Sequence, residues 1–354
     1  MIELLSLKDF RIFESLEVSP SASLNILSGP NGAGKTSVLE AIALFGSGRS
    51  FRASRLRPLI RSSADSFIIY ARTQLGQDLG VQCFAGSSPL KIRLNAHDVA
   101  LHTLVAQCPV AVLEPASLDI FEGGGLHRRQ LIDWVMFHVE PLFLPMWLQY
   151  QRALKQRNAL LQRGIIDHRQ YKPWDEELDI TAKSLNQYRM RFIEKFSLEF
   201  CSQVNAHVPG ITLSVSWHAG WQNDLLSLLS EHLFKDIERG YTFYGPHRAD
   251  LHFQISGGLP AKECLSRGQR KLISLIFRKL QIEEVINYGG KPVVLLDDPL
   301  SELDVTFRSF LFGWIKMMPS QTWITTTEPA MVVDFMEKEH RMFHVEQGRV
   351  HTVD

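Results

Sequence analysis

Apolar and polar positions alternate in short runs at the start of the chain. IELLSLK (2–8) and IFESLEV (12–18) read as two strands with a turn between them. LNILS (24–28) is a compact apolar strand that runs into a glycine-rich loop. The SVLEAIALF that follows has helical apolar spacing. Between 66 and 110, SFIIYARTQL, LGVQCFA and LKIRLNA are broken by Gly, Ser, Pro and Asn, the pattern of an antiparallel meander.

The period changes near residue 115. From Leu126 to about Val208 three long amphipathic stretches predict helices, with Gly164 and Pro173 punctuating the gap between the second and third. ITLSVSW (211–217) and LHFQI (251–255) return to strand. LSRGQRKLISLIFRKLQIEEVI (265–286) predicts a helix. PVVLLDD (292–298) and TWITTT (322–327) read as buried strands, and RMFHVEQGRVHTV as a closing hairpin. The expected organisation is an α/β head built from 1–112 and 240–354, with an antiparallel β subdomain, and a helical lobe inserted at 113–239.

At 354 residues the chain has room for two domains, and 45% hydrophobic content supplies a sizeable core. A formal net charge of zero argues against a tail-driven nucleic-acid binder but leaves a local basic face open. Cys83, Cys108, Cys201 and Cys264 form no CxxC pair, which predicts small core residues in a reducing compartment. The first residues carry Glu3, Lys8, Asp9 and Arg11, unlike a signal peptide, so a cytoplasmic location is expected.

The strongest chemical signal is GPNGAGKT, Gly29, Pro30, Asn31, Gly32, Ala33, Gly34, Lys35 and Thr36, between a strand and a helix. Phosphates need many backbone N–H donors at close range, and glycines let the backbone wrap that closely. Lys35 would reach the β- and γ-phosphates and Thr36 would ligate Mg²⁺, so ATP with Mg²⁺ is the expected ligand. In VVLLDDPLSELD (293–304) the carboxyl end of a buried strand presents Asp297 to hold Mg²⁺ through water, and Asp298 to orient an attacking water. LSRGQ (265–269) opens a helix, where the Ser266 hydroxyl and the amides of Gly268 and Gln269 would make a second anion site.

LSRGQ resembles the LSGGQ signature of ABC-type ATPases, and the order P-loop, signature, acidic strand and SELD fits, with Asp304 in the D-loop position. SGRSFRASRLRPLIR, LHRRQLIDWVMFHVEP, YQRALKQRNALL, YGPHRADL and LSRGQRKL narrow the likeness to the RecF family, from residue 1 to about 330. The resemblance implies an ABC head with a helical lobe, ATP-dependent homodimerisation in which one subunit's signature caps the other's nucleotide, and weak DNA-stimulated ATPase activity. It also implies DNA binding near gaps and junctions, help in loading RecA with RecO and RecR, fork maintenance and an SOS role.

Some positions depart from that pattern. Arg267 stands where the signature has glycine, and Asp298 where many ABC ATPases have glutamate, so slow hydrolysis is expected. Gln107 and Glu114 both remain candidates for a Q-loop, and TTTEP supplies no histidine switch. Two basic clusters are candidate DNA contacts. One runs from Arg49 to Arg61 and includes Arg52 and Arg55; the other includes Arg152, Lys155 and Arg157. An arginine just after the P-loop helix could instead meet nucleotide. GPHR (245–248) reads as a turn entering a strand rather than as a catalytic histidine, with Arg248 near DNA or a partner subunit. A scaffold whose partner surface is ordered by ATP, with negligible hydrolysis, is the alternative function.

Overall fold

The computed structural model describes residues 1–353 apart from 87–89, 115–117, 301–304 and 336–338. The chain separates into two compact units, Met1–Leu118 with Val285–Asp354, and Asp119–Glu284. Residues 240–284, expected with the head, therefore group with the helical unit. The cause is local: Asp250–Ile255 pairs antiparallel with Leu213–His218 from the helical segment, forming a three-stranded sheet with Leu259–Pro260.

The first unit holds two six-stranded sheets. One is antiparallel, ordered Phe13–Val18, Ile2–Phe10, Ser66–Thr73, Asp78–Phe84, Lys91–Leu94, His97–Asp98. Its strands follow the period of two: Leu5 and Leu7 lie opposite Ala71 and Ile69, which lie opposite Leu79 and Val81, all buried. That face and the P-loop helix Lys35–Ser47 belong to one core.

The other sheet is mostly parallel, ordered Arg349–Val353, His340–Glu346, Leu24–Ser28, Gln321–Thr326, Val293–Leu296, Val110–Leu113. Leu24–Ser28, Val293–Leu296 and Gln321–Thr326 are buried at every position, as strands covered on both faces must be. Two sequence expectations change here. Val110, the end of the expected meander, instead opens the strand Val110–Leu113, which pairs in parallel with Val293–Leu296. The helix Leu101–Gln107, read as part of the meander, carries the chain across. An apolar run of four residues does not reveal which sheet recruits it, because its partner is far along the chain.

The second unit contains the helices Gly124–Val139, Phe143–Gln162 and the 36-residue Lys172–His207, close to the three expected. Phe196, Phe200 and Phe253 surround Phe277 at ring separations of 4.9, 5.3 and 6.3 Å. Phe277 lies on the helix Arg267–Asn287, so this aromatic core anchors the helix that begins at the signature. Two bidentate ion pairs add orientation: Arg128 with Asp250 at 2.7 and 2.8 Å, and Arg189 with Asp133 at 2.8 Å for both bonds. Among the described residues no helix is long and apolar enough to cross a membrane.

Candidate nucleotide-binding site

The site in the first unit starts where the strand Leu24–Ser28 stops. Gly29 has φ 144°, and a Cβ there would lie 2.2 Å from the carbonyl oxygen of Val345. The adjacent parallel strand therefore runs too close for any side chain. Gly34, at φ 111°, packs against Ile12 and Phe13, and a Cβ would approach both to 2.8 Å. Pro30, Asn31 and Gly32 form the exposed tip of the loop, and Ala33 is buried beneath it. The P-loop helix begins at Lys35, so its unpaired N–H groups and positive dipole end face the loop, as an anion cradle requires.

Lys35 is buried, and its ammonium donates to the carbonyl oxygens of Gly29 at 2.6 Å and Pro30 at 2.9 Å. Desolvation pushes its pKa below the usual lysine value, while the charges of Asp298 and Asp297 oppose the shift.

Asp297, at the carboxyl end of Val293–Leu296, is the hub. Its Oδ1 accepts from the Thr36 hydroxyl at 2.8 Å and from the Thr325 hydroxyl at 2.8 Å. Its Oδ2 accepts from Arg52 at 2.5 Å. Thr325 also accepts the backbone N–H of Asp298 at 2.8 Å, and Asp298 sits in the left-handed region at φ 45°. The adjacent strand thus fixes both acids through one hydroxyl. Sequence reasoning missed Thr325; its signal was a polar residue inside a strand buried on both faces.

Arg52, a candidate for DNA from a cluster that could instead meet nucleotide, sits beside the P-loop with its guanidinium on Asp297. Glu40, buried in the P-loop helix, holds Arg11 at 2.9 and 2.7 Å and the Ser50 hydroxyl at 2.5 Å. Ser50 accepts the N–H groups of Arg52 and Ala53 at 3.0 and 2.8 Å, which fixes the turn that aims Arg52 at Asp297. The same guanidinium lies 3.7 Å from Glu114, which follows the edge strand of this sheet. Of the two Q-loop candidates, Glu114 reaches the site, whereas Gln107 accepts from Gln77 elsewhere in this unit. Phe51 packs against the core.

Mg²⁺ fits this donor set. Thr36 Oγ1 and Asp297 Oδ1 are hard oxygens 2.8 Å apart, the kind of pair Mg²⁺ uses alongside waters and substrate phosphates. Among the described residues no group of three or more acidic, histidine or cysteine side chains could cage a metal, so phosphate would complete the sphere. Asp304 lies outside the described residues.

In the second unit, the Ser266 N–H donates to Gln269 Oε1 at 2.9 Å and the Gln269 N–H donates to Ser266 Oγ at 3.2 Å. This reciprocal cap opens the helix Arg267–Asn287. Ser266, Arg267 and Gly268 are exposed, leaving the helix start open to solvent.

The second basic cluster divides. Arg152 and Lys155 are exposed and three residues apart, hence on one helix face. Arg157 points inward and is fully buried, which corrects its reading as a DNA contact. It donates to Asp175 at 2.7 Å, Asp236 at 2.7 Å, Thr242 at 2.9 Å and the Leu229 carbonyl at 3.1 Å. Arg55 is exposed. His247 is structural: Nδ1 lies 2.5 Å from the Tyr150 hydroxyl and Nε2 lies 3.0 Å from the Thr242 carbonyl. A carbonyl only accepts, so Nε2 carries the proton and Nδ1 accepts from Tyr150. Burial pushes the pKa of His247 down to about 4.

A P-loop, an acidic strand end tied to it and a separate serine-capped signature helix define an ATPase head of the ABC and SMC type. The family model described as "RecF/RecN/SMC N terminal domain" matches residues 1–351. The "DNA replication and repair protein RecF" of Shewanella baltica is 34% identical over 361 residues, covering 99% of both chains. That of Xanthomonas axonopodis is 38% identical over 358 residues, covering 98% of this chain and 97% of its own. Among solved structures, "the recombination mediator protein RecF-ATP in RecFOR pathway" superposes with a TM-score of 0.86 at 22% identity, covering 100% of this chain and 97% of that one. An Smc head bound to the C-winged helix domain of ScpA gives 0.60 at 18% identity, covering 99% and 96%. The chain belongs to the RecF family.

Proposed function

We propose that this protein is an ATP-driven DNA-binding switch of replication and recombinational repair. The observation that carries the proposal is the Asp297 hub, which ties the P-loop threonine to the acidic strand beside Lys35. Gly29 to Thr36 bind the ATP phosphates, Thr36 and Asp297 hold Mg²⁺, and Asp298 orients the attacking water. Two chains sandwich two nucleotides, with Ser266, Gly268 and Gln269 of one capping the γ-phosphate held by the other. The solvent-open start of the signature helix supports this, because an anion can reach its amides. ATP then shifts a population between open and closed dimers on DNA near gaps or junctions, and slow hydrolysis releases it. Family membership supports work with RecR and RecO in loading RecA, with roles in fork maintenance and SOS induction.

The test measures ATP turnover with and without duplex DNA, and mass in solution with ATP, for wild type, Lys35→Met and Asp298→Asn. Lys35→Met is expected to stay monomeric. Asp298→Asn is expected to bind ATP and dimerise while turnover falls about a hundredfold. A wild type that stays monomeric with ATP refutes the sandwich. Turnover indifferent to DNA, with full function in Asp298→Asn, establishes the scaffold instead.

A further inference from the structure

The second unit carries a cation–aromatic ledge outside both motifs. Arg239, the last residue of the helix Leu233–Arg239, lies over the Phe243 ring at 4.4 Å. Arg248 lies over the rings of Tyr241 at 5.1 Å and Phe243 at 5.6 Å. Tyr241 and Phe243 are 40% and 37% exposed, too open to be read as core. Both arginines are exposed, and among the described residues neither has a carboxylate within ion-pairing distance. They lie over the rings without a carboxylate partner, so their N–H donors stay available.

The backbone beneath the ledge is fixed. Asn158 accepts from both the N–H and the hydroxyl of Thr242 at 2.8 Å. The N–H of Phe243 donates to Asp236, which is buried and paired with Arg157. Asn158 also lines an open groove of about 560 Å³ on the helix Phe143–Gln162, together with Lys155. The nearest exposed acid in sequence, Glu238, is one helical position before Arg239 and so points about 100° away from it.

We infer that Arg239, Tyr241, Phe243 and Arg248 form a binding ledge for single-stranded DNA. Unpaired bases stack on the aromatic and guanidinium planes, while the arginines take the phosphates. A protein partner would meet the aromatics as well, but a ledge with two exposed arginines, neither paired with a carboxylate among the described residues, complements a polyanion. The inference rests on the proposed DNA function and assigns it a surface. Base stacking needs bases that are not paired, so the ledge would read the single-stranded side of a junction.

The test uses the full chain with ATP and Mg²⁺. Fluorescence anisotropy follows a labelled oligothymidylate and a blunt duplex of equal length across a salt series. Phe243→Leu is expected to weaken oligothymidylate binding about tenfold, leave duplex binding within about twofold and keep the salt slope. Arg239→Gln with Arg248→Gln should flatten the slope of log K against log salt by about 1.4. The corresponding lysine pair should keep that slope and still bind more weakly, because it lacks the planar stack. Variants that bind oligothymidylate as wild type does overturn the ledge and leave the DNA function standing. Unchanged DNA affinity with loss of ATP-dependent dimer mass identifies the ledge as a contact between copies and likewise overturns it. A wild type that binds no DNA overturns both.

Discussion

Arg157 separates a DNA-contact reading from a structural one. Its guanidinium makes two charge-assisted bonds, to Asp175 and Asp236, and two more to Thr242 and the Leu229 carbonyl, with no exposed surface. Arg157→Ala removes the counter-charge that, among the described residues, Asp236 pairs with, and takes the same cation from Asp175. Removing one partner of a buried pair costs about 3–5 kcal/mol, against a typical total of about 5–15 kcal/mol. Asp175 already has its pKa raised by desolvation, with Arg157 opposing the shift. Without Arg157 that pKa rises further. An aspartate whose folded pKa lies above its unfolded value loses stability as pH rises through that interval. The deficit of Arg157→Ala should therefore be larger at pH 8 than at pH 4. Urea denaturation followed by circular dichroism at the two pH values reads it, with Arg157→Lys falling between alanine and wild type. DNA affinity per folded molecule should keep its salt slope. A variant within about 1 kcal/mol of wild type, with a flattened salt slope, would refute the buried-hub argument.

Two further perturbations follow from the same geometry. Arg52→Ala should leave the salt slope of DNA binding unchanged, because Arg52 is spent on Asp297 and Glu114. It should enlarge the thermal shift produced by ATP with Mg²⁺ by about 2–4 °C, since the cation then takes over the charge that Arg52 supplied; an unchanged shift contradicts this. For His247, a folded pKa of about 4 against about 6.5 unfolded means stability is lost as pH falls through that window. Between pH 7 and pH 5 this group should contribute about 2 kcal/mol of loss. His247→Gln, which keeps one donor and one acceptor, should flatten that part of the stability profile as read from urea midpoints.

Local sequence determined much of this protein. GPNGAGKT reads as a loop between strand and helix from the residues alone, because Gly29, Gly32 and Gly34 adopt positive φ values that other residues rarely take. Ser266 and Gln269 stand at the spacing of a capping box, and Asp297 follows four apolar residues, so their positions on elements were legible. Tertiary structure decided the rest, because the deciding contacts join residues far apart in sequence. Val110–Leu113 became a parallel strand only when Val293–Leu296 offered it an edge. A basic run gives no sign of which arginine turns inward. Arg157 differs from Lys155 by two residues, about 200° around a helix, and only the packing of Asp175 and Asp236 made that direction the buried one. Arg52 likewise meets Asp297 because Glu40 and Ser50 turn it there, a pairing of 245 residues' separation that no local pattern encodes.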